Sequence, residues 1–160
     1  RAAIGSSFGQ MDVSLALSVA QEVEIDGHPA LEDAAVRTNI ANWYVQESGL
    51  KYTGYRSLTA LSRGALPGPE NSIGKLVGAP KMQAMSSYLM DLLGASGAIA
   101  DEALATKAGI IQRAYMGAPG LRIAGGTDEI MANIIAERVL GLPQEPRLDK
   151  GIPFNEVPTG

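Results

Sequence analysis

From Leu31 to about Arg63 the chain contains no proline, and this run constrains the fold more than any other stretch. Val36, Ile40, Trp43 and Tyr44, and then Tyr55, Leu58 and Leu61, recur at spacings of three and four, the period of one helical face. The spacing predicts one long helix of about 30 residues. Glu47 to Gly49 interrupts the apolar stripe, so a bend or a polar gap is expected there.

A helix of that length needs neighbours of similar kind, and the sequence supplies them. Ile4, Phe8, Met11, Leu15 and Val19 mark a first helix from Arg1 to about Glu22, followed by a turn over Glu24 to Pro29. Gly64 to Pro69 holds two prolines and reads as a connection. A third helix follows from about Glu70 to Leu93, with Ile73, Leu76, Val77, Met82, Met85 and Leu89 on its inner face. Gly94 to Gly97 ends it with residues free to take positive φ.

Asp101 to Met116 reads as a fourth helical segment, and Gly117 to Gly126 as loop. Thr127 is an N-cap residue, with Asp128 and Glu129 placed where carboxylates interact well with the helix dipole. The last helix is expected over about Asp128 to Leu140, closed by Gly141 and Pro143. Gln144 to Gly160 contains three further prolines and is expected as an extended tail. No strand pattern is evident, so the expected fold is all-α, an up-and-down bundle of the four-helix type over residues 1–143 with a tail over 144–160.

Composition excludes several functions. A net charge of −4 and a pI of about 5.0 provide no basic field for nucleic acid. No apolar run reaches the roughly 20 residues that cross a bilayer. Without cysteine and with His28 as the single histidine, neither a disulfide framework nor a thiolate or histidine metal cluster is expected. Beginning at Arg1, the chain reads as a piece that starts inside a helix.

Three stretches carry a resemblance. They are Arg122-Ile-Ala-Gly-Gly-Thr-Asp-Glu-Ile-Met-Ala-Asn-Ile-Ile-Ala-Glu-Arg-Val-Leu-Gly-Leu-Pro143, Gly68-Pro-Glu-Asn-Ser-Ile-Gly-Lys-Leu76, and Asp91-Leu-Leu-Gly-Ala-Ser-Gly97. In order and spacing they resemble the last helix, the opening of the third helix and the Gln-x-x-Gly-Gly-x-Gly turn of the C-terminal helical domain of acyl-CoA dehydrogenases. That resemblance covers one domain of three and implies FAD as cofactor and an acyl-CoA thioester as substrate. It also implies an electron-transfer flavoprotein or similar acceptor, and a homo- or heteromeric dimer or tetramer. A bacterial cytoplasmic setting is expected, or the mitochondrial matrix in a eukaryote.

In such enzymes a glutamate takes the α-proton while the β-hydrogen leaves as hydride to the flavin. The family's Tyr-Glu-Gly-Thr motif aligns with Ala124, Gly125, Gly126 and Thr127, so this chain has no glutamate at that place. Asp128 and Glu129 lie near, but their charged forms are favoured at a helix N-terminus, which makes them poor bases. A second group of relatives takes the base from a Glu-Arg pair in the first helix, and Arg1 matches that arginine. The expected base is therefore the residue before Arg1. The resemblance also implies cofactor contacts at Gly94, Gly97, Gly125, Gly126, Thr127 and Glu129.

Two departures bear on the cofactor. Asp91 stands where relatives have Gln, and Gln21-Glu-Val-Glu-Ile-Asp-Gly-His28 stands where they carry Arg-x-x-Phe-Gly. Its three carboxylates repel a pyrophosphate. Either FAD binds more weakly, or this is a non-catalytic or half-site subunit of a heteromeric complex. His28 is expected in a solvated turn, Trp43, Tyr44, Tyr52 and Tyr55 in the core or a subunit interface, and Glu137 and Arg138 as a solvated or interface ion pair of little net value. Taken alone, the domain is expected to expose apolar faces and to self-associate.

Overall fold

The computed structural model describes residues 11–66, 68–146, 149 and 151–157. Five helices dominate: α1 Val13–Glu22, α2 Ala34–Ser62, α3 Asn71–Leu93, α4 Ile110–Ile123 and α5 Asp128–Arg138. Helix α3 is the hub, packing against each of the other four. The core joins Ala16 and Val19 of α1, Val36, Ile40 and Trp43 of α2, Met85 and Leu89 of α3, and Ile111 and Ala114 of α4. The all-α bundle is thus as the periodicity predicts.

Local signals set most boundaries. Asp12 caps α1, its carboxylate accepting from the Leu15 N–H at 2.9 Å. The expected single helix from Arg1 does not run through this point: Asp12 is extended at φ −120° and ψ 176° and the helix begins at Val13, while residues 1–10 fall outside the described residues. Asp33 caps α2, accepting from the N–H groups of Ala35 and Val36 at 2.8 and 3.0 Å. Ser57 then ties α2 to the start of α3 by donating to Asn71 Oδ1 at 2.6 Å. Helix α5 stops at Arg138, two residues short of expectation, because the Leu140 N–H reaches back to Ile135 O and the Leu142 N–H to Ala136 O, beyond the helical reach of four residues. Gly141 at φ 68° completes the closure.

The segment between α1 and α2 is a hairpin and not a bare turn. Strand β1 (Glu24–Ile25) pairs antiparallel with β2 (His28–Pro29). Asp26 and Gly27 at its tip take φ 52° and 82°, the pair of left-handed residues that Asp-Gly supplies to tight hairpins. Trp43 is buried and meets Tyr88 edge to face at 5.6 Å, while His28 is exposed within 3.6 Å of Glu32.

The fourth helix is the main correction. It begins at Ile110, not Asp101, and it runs on to Ile123 through Gly117, Pro119 and Gly120. Asp101 starts only a single turn, accepting from the Ala103 N–H through its side chain and from the Leu104 and Ala105 N–H groups through its carbonyl. Lys107, Ala108 and Gly109 then take positive φ in succession, which no right-handed helix accommodates. Beyond that point Ile111, Ala114 and Ala118 are wholly buried. Their spacing of three and four makes a stripe of mostly small side chains that seats α4 closely on α3, and tertiary burial overrides the poor propensity of glycine and proline.

Helix α2 is corrected on its outer half. Val36, Ile40 and Trp43 are buried, but Tyr44 is 62% exposed and Leu58 61%, with Tyr52, Tyr55 and Leu61 also exposed. The interruption at Glu47 is a polar gap within a continuous helix. Glu47 accepts from the Val13 N–H at 3.0 Å and lies 3.6 Å from Lys81 Nζ, whose side chain is only 7% exposed.

Candidate functional site

The glycine turn before α5 is built from both sides. Ala124 ends α4 with extended geometry, Gly125 and Gly126 take φ 70° and 110°, and Thr127 caps α5 by accepting from the Ile130 N–H at 3.4 Å. The two glycines are not equivalent. A side chain on Gly126 would meet the Met131 methyl at 2.6 Å, whereas nothing lies within 4 Å of the corresponding point on Gly125. Gly126 is packed down on α5, and Gly125 opens onto free space.

Electrostatics at this turn favour fixed negative charge. The Thr127 side chain, then the backbone of Glu129 itself, and more weakly the charge of Arg122 hold the fully exposed Glu129 carboxyl below the ordinary value. Asp128 is engaged by Arg122, whose Nε donates to Asp128 Oδ2 at 2.6 Å. Glu129 is thus held in its ionised form, while Asp128 is occupied by the guanidinium of Arg122.

Gly94 and Gly97 form the second turn. Gly94 is exposed at φ 55° with empty space on its side-chain face. Gly97 is buried, and a side chain there would press on Met90 O at 3.1 Å. Gln112 Nε2 donates to Gly97 O at 3.3 Å, while Arg122, one end of α4 away, donates to Gln83 Oε1 at 3.2 Å. Helix α4 therefore runs antiparallel along α3. Ala124 lines the same groove as Gly78, which is about 24 Å of helix from Gly94 at 1.5 Å per residue. The structure does not bring the two candidate turns together in one copy of the chain, and Arg1 falls outside the described residues.

At the Gly94 end the charges are mostly negative. Glu22 pairs with Lys107, and Glu24, Asp26 and Glu32 are exposed beside the hairpin. At the other end a groove of about 510 Å³ runs past Met11, Glu47, Lys75, Lys81, Leu121 and Ala124. Lys75 Nζ is buried there without a hydrogen-bond partner.

Arg122, Gln83 and the Glu47–Lys81 pair were not singled out by sequence reasoning. Arg122 has a signal, a cation in the last turn of one helix six residues before an acid in the first turn of the next. Reading Gly117 to Gly126 as loop conceals it. Glu137 and Arg138 do not pair with each other among the described contacts, and Glu137 instead accepts from Gln144 Nε2 at 2.9 Å.

Residues 1–140 match the family model described as acyl-CoA dehydrogenase, C-terminal domain. The chain belongs to the acyl-CoA dehydrogenase family. Among curated relatives, it is 35% identical over 78 residues to the acyl-CoA dehydrogenase FadE34 of Mycobacterium tuberculosis, covering 49% of this chain and 10% of that protein. It is 32% identical over 124 residues to the acyl-CoA dehydrogenase IpdE1 of Mycolicibacterium smegmatis, covering 74% of this chain and 31% of that one. The chain thus spans less than a third of the length of either relative.

Solved structures agree on the fold of this acyl-CoA dehydrogenase domain. It superposes with a TM-score of 0.70 on the ChsE4-ChsE5 complex from Mycobacterium tuberculosis, at 23% identity, covering 88% of this chain and 36% of that one. The Tcur3481-Tcur3483 steroid ACAD gives 0.70 at 24% identity, covering 86% and 35%. Among the described residues, no helix is long and apolar enough to cross a membrane.

Proposed function

We propose that this domain belongs to an FAD-dependent enzyme that desaturates an acyl-CoA thioester between its α and β carbons and passes the electrons to a separate acceptor such as an electron-transfer flavoprotein. The observation that carries this reading is the Gly125-Gly126-Thr127 turn, open to a ligand at Gly125 and backed by the N-terminus of a capped helix. Such a terminus presents N–H groups to ribose or phosphate oxygen. FAD, when bound, supplies the hydride acceptor. The chain's own contribution is to admit the cofactor at Gly125, to keep Glu129 ionised as a hydrogen-bond acceptor, and to hold Thr127 at the helix head.

The base is not on this turn. Gly125 has no side chain, Asp128 is bound by Arg122, and Glu129 is solvent-exposed with its charged form favoured. In our reading a glutamate paired with Arg1, on its N-terminal side, takes the α-proton.

A second reading is favoured by the other end of the domain. There Glu22 pairs with Lys107 and Glu102 lies 3.9 Å from Arg113, so carboxylates at this end compete with a pyrophosphate for the cations near the Gly94 turn. In this reading the chain is a half-site or non-catalytic subunit of a heteromeric complex.

The visible absorbance of the full-length protein, expressed alone and then titrated anaerobically with a panel of acyl-CoA thioesters, separates the two. Bound flavin that bleaches with one thioester is the expected result and names the substrate class. A colourless protein that gains flavin only with a co-expressed relative overturns the self-sufficient enzyme in favour of the second reading.

A further inference from the structure

The link between α4 and α5 contains a contact that the cofactor reading leaves unused. Arg122 lies in the last turn of α4, Asp128 opens α5 and Gln83 sits midway along α3. Arg122 Nε donates to Asp128 Oδ2 at 2.6 Å, Nη2 lies 2.5 Å from the same oxygen, and Nη1 donates to Gln83 Oε1 at 3.2 Å. One guanidinium therefore touches three helices. Its planar fork fixes the direction of each contact, which a lysine ammonium does not. Asp128 is mostly shielded, its side chain 15% exposed, and its Oδ1 is buried without a partner. The carboxylate is held through one oxygen, so its orientation depends on Arg122.

Between the two ends of this clamp lie only Ile123 to Thr127. Two successive glycines at positive φ form the centre of that span. Glycine loses more conformational freedom on folding than any other residue, so a Gly-Gly turn does not hold its own shape. The helix it leads into is anchored independently, because Met131 is buried against the bundle. A partly exposed ion pair adds little to stability. The arrangement is therefore poorly suited to docking α5 and well suited to fixing the turn.

We propose that Arg122 is a positioning residue: by drawing Asp128 and Gln83 together it holds the Gly125–Thr127 turn in the one geometry that presents Thr127, Glu129 and the head of α5 to the cofactor. The assignment of the ligand rests on the function proposed above, whereas the restraint on the turn does not. Arg122 also reinforces, behind the Thr127 hydroxyl and the Glu129 backbone, the ionised state of Glu129.

The test compares Arg122→Gln and Arg122→Lys with the parent in the full-length, assembled protein, using amide hydrogen exchange, thermal unfolding and retention of FAD on dilution. Arg122→Gln is expected to speed exchange at Gly125, Gly126 and Thr127 on the order of tenfold, leaving exchange in the middle of α3 and α4 unchanged. FAD loss should accelerate by a similar factor while the unfolding temperature barely moves. Arg122→Lys should restore little of either, since charge alone does not replace the fork. Unchanged exchange at the turn overturns the proposal, as does faster exchange with unaltered flavin retention. A parent protein that binds no flavin sinks the functional reading alone, and the exchange result still decides whether Arg122 sets the turn.

Discussion

Single residues at the glycine turn divide the work unevenly. Gly125→Ala incurs only the cost of a left-handed backbone, about 1 kcal/mol, because its side-chain face is empty. Gly126→Ala places a side chain at φ 110°, outside the left-handed well, and must also shift the flexible methyl end of Met131, and a loss of about 2–3 kcal/mol is expected. Urea unfolding of the two variants checks the order, and equal losses would contradict the packing described. Thr127→Ala removes the cap of α5 and is expected to cost roughly 0.5–2 kcal/mol. It also frees Glu129, whose folded pKa lies below the ordinary 4.5. A depressed carboxyl stabilises the folded chain in full above its unfolded pKa, and that contribution is lost as pH falls through the folded value. In Thr127→Ala the Glu129 resonance should titrate closer to the ordinary value, as carbon NMR would read directly. Thr127 as a cap was legible from sequence because Thr-Asp-Glu before an apolar run is a local signal. Arg122 was not, because its meaning depends on two helices that the glycines of the preceding stretch disguise.

At the scale of elements, the gap in the α2 stripe became the polar tie among α1, α2 and α3. Glu47 serves both the Val13 N–H and the buried Lys81. Glu47→Ala leaves a buried cation and a backbone donor without an acceptor, and a loss of about 1–3 kcal/mol is expected. Pairing Glu47→Leu with Lys81→Met should recover the share due to the unpaired Lys81 cation, while the Val13 N–H remains without its acceptor and that part of the loss persists. A double variant as unstable as the single one would argue against this account. The end of α2 and the limits of α3 were readable from the Gly64 to Pro69 connection and Gly94, whereas α2 starts at Ala34 and not at Leu31 because Asp33 caps it there. The limits of α4 were not, because a stripe of two alanines and one isoleucine carries little apolar signal until it is set against α3.

Across the whole molecule, Tyr44, Tyr52, Tyr55, Leu58 and Leu61 leave one side of α2 apolar and exposed. Contiguous apolar surface of this kind marks association. Leu58→Asp with Leu61→Asp should alter stability by less than about 0.5 kcal/mol each and should shift the protein towards smaller species in sedimentation velocity. A parent protein already monomeric at micromolar concentration would remove the premise. Sequence periodicity alone placed this side inward, since it reports an apolar stripe but not which neighbour covers it. It does not distinguish a core within one chain from a face awaiting another domain or subunit.

The central place of α3 also sets the order in which the molecule is assembled from the unfolded chain. Its largest partner, α4, follows it directly in sequence and α2 directly precedes it, so these contacts close short loops and form early. Helix α5 packs directly on α3, but α4 lies between them in sequence, so its docking closes a longer loop, and the glycine turn takes shape as it docks. Substitutions in that turn are then expected to appear in the unfolding rate and to leave the folding rate nearly unchanged. The turn proposed to meet the cofactor is then expected to be the last part of the domain to form and the first to come loose.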